Sequence, residues 1–265
     1  MPYVCDFYPT SRFDEGVHYF WILCAGLGIG MVFGMFGAGG SAFATPLLAL
    51  LGVSGAIAVA SPLPAMVPAS IAGARRYLKA GNLDRRVAKL AILGGVPGTI
   101  IGALASRLVS GDRLIVLSGA MLLVVGARVL MPDPAGHEDV CAARCANTLL
   151  VTSTSFGVGL LTGLLANGGG FLLVPLFVVV LGLSTAKAAG TSMVAVGVLT
   201  IPTLVTHWAL GHIDWSVALA FGAGMVPASL IGARLAQRVP AARARRWFGV
   251  LLVGFAIWFL IHQVI

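Results

Sequence analysis

Residues Gly34–Leu47 read GMFGAGGSAFATPL, and residues Gly163–Leu176 read GLLANGGGFLLVPL. The two stretches align without a gap at an offset of 129. After a slip of one residue the match continues at an offset of 130. Leu51–Ser54 pairs with Leu181–Ser184, and Gly81–Asp84 with Gly211–Asp214. Further on, Val96-Pro97 and Gly102-Ala103 pair with Val226-Pro227 and Gly232-Ala233. Blocks that recur in one order over a whole half-chain mark an internal duplication.

Around these blocks the sequence is apolar. The segments run at 17–37, 41–53, 55–74, 87–108 and 113–131, then at 147–165, 170–183, 186–210, 215–236 and 247–265. A membrane-crossing helix needs about 20 mostly apolar residues. Eight of the ten segments are long enough; 41–53 and 170–183 are shorter. Of the 265 residues, 58% are hydrophobic and only 10% charged, against about 25% charged in soluble domains. Too few charges remain to solvate a globule. The 35 glycines suit closely packed or broken membrane helices. The formal net charge of +8 sits in short loops between apolar runs, which argues against a nucleic-acid surface.

Those loops set the orientation. Between the third and fourth segments lie Arg75, Arg76, Lys79, Arg85, Arg86 and Lys89, whereas the equivalent loop around His207–Trp215 has no lysine or arginine. The following loop reverses the bias: Arg234, Arg238, Arg243, Arg245 and Arg246 stand against Arg107 and Arg113. Positive residues stay cytoplasmic, so equivalent loops face opposite sides. The expectation is an all-α membrane protein of two inverted-topology repeats, about five membrane segments each, with glycine-rich helix breaks. Residues 1–16 form an N-terminal extension, 17–131 the first repeat, 132–146 a cytoplasmic linker and 147–265 the second repeat. An odd number of crossings per half requires the short segments to cross. Met1–Gly16 lacks a basic stretch and a cleavage site of small residues, unlike a signal peptide.

Inverted repeats with interrupted helices are a plan of secondary transporters, which bind substrate where broken helices present free N–H groups and positive dipole ends. The breaks here are paired: Gly37, Gly39, Gly40 and Ser41 in one half, and Asn167, Gly168, Gly169 and Gly170 in the other. Close helix packing alone would also favour such glycines. The polar groups nearby are Thr45, Ser61 with its counterpart Thr191, and Ser192. Hydroxyl and amide donors suit an oxyanion that wants several hydrogen bonds, although buried serine and threonine often bond back to their own helix. Hardly any charge lies deep in the segments, so dipoles rather than a fixed cation would hold the anion. Lys187 begins the eighth segment near the cytoplasmic side, where it reads first as a positive-inside anchor. Asp84 and Asp214, in matching Gly-x-x-Asp contexts, read as helix N-caps. His207 and His212 lie near the outer face, where interfacial solvation is the expected role. His137, Cys141 and Cys145 share a helical face in the linker but lack the fourth ligand and close cysteine spacing of a metal site. No metal or cofactor is expected.

The pattern from Gly163 to Leu176, then Lys187-Ala-Ala-Gly-Thr-Ser192, Gly211-x-x-Asp-Trp215 and Gly232-Ala233, resembles the sulfite exporter TauE/SafE family. The resemblance covers nearly the whole chain after residue 17. It implies a bacterial inner-membrane transporter of sulfite, organosulfonates or related sulfur anions. The departures are Gly-Ala-Gly-Gly-Ser in the first half, Ala166-Asn167 in the second, and Ser61-Pro62 in place of a Thr-Ser-like pair. They fall where substrate would bind, which makes Asn167 the leading specificity determinant. A non-sulfur organic anion or an anion channel stays open at this point. A membrane-embedded enzyme is least favoured, because no nucleophile elbow, His-Glu-x-x-His or paired intramembrane carboxylates occur. A coupling ion, with the proton as the first candidate, and the oligomeric state are not legible.

Overall fold

The computed structural model describes residues 15–37, 43–109, 147–165 and 170–240, together with isolated helical positions within 117–130 and 243–258. Among these residues the regular structure is helical. In the first half come α1 (Glu15–Phe36), α2 (Ala44–Leu50), α3 (Gly55–Ala60), α4 (Leu63–Lys79) and α5 (Arg85–Ala105). In the second come α6 (Thr148–Leu164), α7 (Gly170–Val179), α8 (Thr185–Ala209) and α9 (Trp215–Ala236). Five spans are long and apolar enough to cross a membrane: His18–Phe36, Gly55–Lys79, Arg85–Ala105, Ala186–Ala209 and Trp215–Ala236. The protein is a multi-pass helical membrane protein. The segments expected at 113–131 and 247–265 fall mostly outside the described residues.

The short segments are shorter than the apolar runs suggest. Helix α2 has 7 residues and α7 has 10, about 10 and 15 Å of rise against a hydrocarbon core of ~30 Å. Both are cut off by glycines in the left-handed region, Gly52 at φ +87° and Gly182 at φ +71°. The third segment loses helix hydrogen bonds between Ala60 and Leu63, although Ser61 and Pro62 keep helical backbone angles. Pro62 and Pro64 lack the N–H groups that would bond the carbonyls of Ala58 and Ala60. At the equivalent place α8 has Ser192 and Val194 and runs on unbroken.

Glycine decides how the long helices meet. The most extensive packing joins α1 to α9 and α5 to α6. A Cβ on Gly26, Gly30 or Gly34 would collide with the backbone of Phe221, Met225 or Ser229 respectively. On α5, a Cβ on Gly94, Gly98 or Gly102 would strike the backbone at Thr152, Phe156 or Leu160. Both sets are glycine at every fourth position, which lets backbones approach closely. The pairs correspond across the duplication: Leu23 with Gly224 matches Thr152 with Gly94, and Gly34 with Ser229 matches Gly163 with Thr99. The rising numbers mean that α1 runs parallel to α9, and α5 parallel to α6. Gly222 lies on Ala65 and the Ser229 hydroxyl donates to Ala69 O, so α4 runs with α9. By contrast Gly73 meets Met193 while Gly197 meets Ser70, so α4 and α8 are antiparallel. Helices α1, α4 and α9 thus point one way, and α5, α6 and α8 the other.

This arrangement gathers the charge. The end holding Arg75, Arg76, Lys79, Arg85 and Arg86 also receives the close of α9, where the Gln237 side-chain amide donates to Arg76 O at 3.3 Å. The opposite end carries Trp208 and Trp215, edge-to-face at 6.5 Å and both exposed, as interfacial tryptophans are. We refer to these as the basic end and the aromatic end.

Candidate functional site

The loops Gly81–Asp84 and Gly211–Asp214 are the best-defined part of the site. Gly81 and Gly211 both sit at φ +72°, where any side chain would be strained. Each loop ends on an aspartate that caps the next helix, as the sequence predicts. One carboxylate oxygen of Asp84 accepts from the backbone N–H groups of Arg86 and Val87, each at 3.0 Å. One of Asp214 accepts from Ser216 at 2.8 Å and Val217 at 3.2 Å.

Each loop is then held by a hydroxyl from the other half. The Asp84 N–H donates to Thr191 Oγ1 at 3.0 Å, and the Asp214 N–H donates to Ser61 Oγ at 3.1 Å. Ser61 and Thr191 are fully buried and occupy equivalent positions of the duplication. A second equivalent pair covers the ends of α1 and α6. The Tyr77 hydroxyl lies 3.1 Å from Gly34 O and 3.0 Å from Met35 O, and His207 Nε2 lies 3.4 Å from Gly163 O. This corrects the reading of His207 as a solvated interfacial group, because its side chain is 1% exposed. Tyr77 did not stand out in the sequence. The 130-residue offset aligns Tyr77 with His207 and was the available signal.

The other sequence candidates divide by place. Gly37, at φ +70°, abuts Ala189 of α8, and its carbonyl accepts from the Ser192 hydroxyl at 2.6 Å. The same hydroxyl lies 3.0 Å from Ala189 O. Gly37, Thr191 and Ser192 therefore meet toward the basic end. Ser61 lies under the aromatic-end loop instead, so the structure does not bring it beside them. Gly163, which precedes the second glycine loop, is likewise at the aromatic end. Ala189 and His207 mark the two loop entries on α8 and are 18 residues apart, about 27 Å at 1.5 Å per residue. Thr45 is fully buried on α2, and Gly170 starts α7. Gly39, Gly40, Ser41, Asn167, Gly168 and Gly169 lie outside the described residues, as do His137, Cys141 and Cys145.

An apolar cavity of about 550 Å³ opens between α1, α2 and helical residues near the C-terminus, lined among others by Cys24, Val32, Phe43, Leu47 and Phe255. Its described lining is almost wholly apolar, which suits an anion poorly. Among the described residues no three His, Cys, Asp or Glu side chains cluster as a metal site would require.

The model of the family described as Sulfite exporter TauE/SafE matches residues 22–259. The chain belongs to that family. A probable membrane transporter protein of Xylella fastidiosa (strain 9a5c) is 30% identical over 239 residues, covering 87% of this chain and 90% of its own length. The probable membrane transporter protein YunE of Bacillus subtilis (strain 168) is 23% identical, covering 82% and 87%. YtnM of the same strain, also a probable membrane transporter protein, is 26% identical, covering 86% and 76%. No solved structure matches the chain. This TauE/SafE member is a membrane transporter.

Proposed function

We propose that this transporter moves a small sulfur oxyanion, of the sulfite or organosulfonate class, across the bacterial inner membrane by alternating access between two inverted repeats. The observation that carries this reading is the exchange of hydrogen bonds across the halves. Thr191 of the second half holds the loop of the first at the basic end, and Ser61 of the first holds the loop of the second at the aromatic end. In the same sense α1 and α6, α4 and α8, and α5 and α9 occupy equivalent places and run oppositely. A twofold axis in the membrane plane relates such elements, as in transporters built from inverted repeats. The basic end is cytoplasmic by the positive-inside rule.

Its substrate site is assigned to residues 37–41, between α1 and α2, and 167–170, between α6 and α7. Irregular backbone at membrane depth persists only in packed protein or along a cavity. Gly37, Gly39, Gly40 and Ser41 supply N–H and hydroxyl donors from one side. Asn167, Gly168, Gly169 and Gly170 supply donors from the other, with Thr45, Ser61, Thr191 and Ser192 supporting them. The entries to the loops lie toward opposite faces, so each loop serves as the approach from its own side. No fixed cation is needed, because backbone N–H groups and hydroxyls charge-assist an oxyanion directly.

Thermal unfolding of the purified protein with sulfite, thiosulfate, sulfate and sulfoacetate tests the substrate class. A ligand bound only by the folded state adds RT ln(1 + [L]/Kd), about 2.7 kcal/mol at a hundredfold excess over Kd. A selective shift with one sulfur oxyanion, lost in Asn167→Leu, is the expected result. Stabilisation by unrelated solutes alone would remove the sulfur-anion assignment. Saturable flux in proteoliposomes would separate a carrier from a channel.

A further inference from the structure

The two halves treat one buried position differently. Tyr77 and Asn82 of the first half stand where His207 and His212 stand in the second. The tyrosine already serves the structural purpose, since its hydroxyl reaches the carbonyl that ends α1. An imidazole is not required for that. Yet in the second half the Nδ1 atoms of His207 and His212 approach to 3.1 Å, and His207 Nε2 faces Gly163 O. From His207 inward, Thr203 and Thr200 continue the same buried face of α8. The Thr200 hydroxyl, and that of Ser155 on α6, are buried without a partner among the described residues. Where Ser155 stands, the first half has Gly26. Ser70 stands where Thr200 does, but its hydroxyl donates to Val67 O, so among the described residues the two unpartnered buried hydroxyls both belong to the second half.

We propose that His207 and His212 bind the proton whose movement accompanies that of the anion. This rests on the transporter reading above and adds the coupling ion and its site. The hydrogen-bond network assigns the nitrogens. Gly163 O requires Nε2–H on His207, so His207 Nδ1 accepts and His212 Nδ1 donates. One further proton, taken from the water at the aromatic end, goes to His212 Nε2, because the facing contact already holds its N–H; the positive charge is then shared through that Nδ1–H···Nδ1 contact. A second would place N–H groups on both facing nitrogens and break it. The pair thus takes up one proton, and its occupancy is felt at the carbonyl that closes α6, just ahead of the Ala166–Gly170 loop.

The described residues also place Asp214 and, at the start of α1, Glu15 and His18 toward the aromatic end. Asp214, in the same loop, is engaged in capping α9. Helices α6 and α7 carry no charged residue, and α9 carries none before Arg234. The charges of α4 (Arg75, Arg76, Lys79) and α5 (Arg85, Arg86, Lys89) lie at the basic end, and Arg107 follows α5 at the aromatic end.

The test uses the full chain in proteoliposomes with an internal pH dye, and thiosulfate and sulfoacetate as substrates because neither buffers near neutral pH. The double variant His207→Tyr, His212→Asn rebuilds the arrangement of the first half, and the readout is proton flux divided by anion flux. Coupled proton movement in the wild type, and its loss in the double variant, is expected. An unchanged ratio overturns the proposal. Independently, the imidazole NMR signals of His207 and His212 should titrate together in the wild type, and the His207 signal should change its titration in His212→Asn. Two independent, solvent-like titrations also overturn it. If the wild type moves neither anion, the substrate reading fails, and the NMR titration alone decides whether the pair holds a shared proton.

Discussion

Replacing Gly30 by alanine inserts one methyl group between α1 and α9, and the structure sets its cost. The new Cβ would stand 2.7 Å from Met225 Cα and 2.9 Å from Met225 C. Carbon atoms rest at about 3.5–4.0 Å, and neither neighbour is a side chain that can swing aside. The two helices must therefore part by about 1 Å, an overpacking that costs roughly 1–3 kcal/mol. Gly28 is the control on the same helix, because a Cβ there meets nothing within 4 Å. Alanine at that place gains up to about 1 kcal/mol of helix propensity. For a chain of this size each kcal/mol moves the midpoint by roughly 2–4 °C. Thermal unfolding in a single detergent, followed by tryptophan fluorescence, should place Gly30→Ala roughly 2–12 °C below wild type, with Gly28→Ala at or slightly above it. Gly159, the counterpart of Gly30, abuts the Gly95 backbone and should behave like Gly30. Equal midpoints for Gly28→Ala and Gly30→Ala would refute the claim that backbone contact sets the helix separation.

Asp214→Ala removes a cap that receives two N–H groups, and should cost about 1 kcal/mol, whereas Asp214→Asn should stay near wild type in the same melts. Thr191→Val leaves the Asp84 N–H facing an apolar group and should destabilise by about 1–3 kcal/mol. Thr191→Ser, which copies Ser61, should restore most of that loss. Asn167→Leu should abolish ligand-induced stabilisation by the preferred sulfur anion while Asp84→Asn preserves it. A silent Asn167→Leu in a folded protein would sink the placement of the site.

Much of the fold was legible because two strong signals coincide. Apolar length gave the spans, and the 129–130 offset gave the equivalence that the packing partners of Gly34 and Gly163 repeat. The aspartate caps were legible because Gly-x-x-Asp ahead of an apolar run has one economical local structure. What escaped was tertiary. Nothing local to Ser61 or Thr191 says that each accepts a hydrogen bond from the opposite half. A hydroxyl suits that task and anion binding equally. His207 was misread because nearness to a helix end was taken for exposure, while its depth depends on α6 ending against it. The break at Ser61-Pro62 was readable from proline chemistry, yet hydropathy ran straight through it.

The same break bears on how the two faces differ. Each cross-half bond, Thr191 to the Asp84 N–H and Ser61 to the Asp214 N–H, is worth about 0.5–1.5 kcal/mol net. On the alternating-access mechanism proposed above, bonds of that size can hold a face closed without locking it, since the two states must lie within a few kcal/mol of each other. The helices that present the hydroxyls are not equally stiff. Thr191 sits inside the unbroken α8, whereas Ser61 sits between α3 and α4, where Pro62 and Pro64 remove two alternate rungs of helix bonding. Hinges absorb their backbone change at a few such positions. On that mechanism the two bonds would act as matching latches, and the helix beside the aromatic-end one is the one short of backbone bonds. The titratable pair and that stretch around Ser61 fall at the same end of the molecule, the end where a proton from outside would arrive.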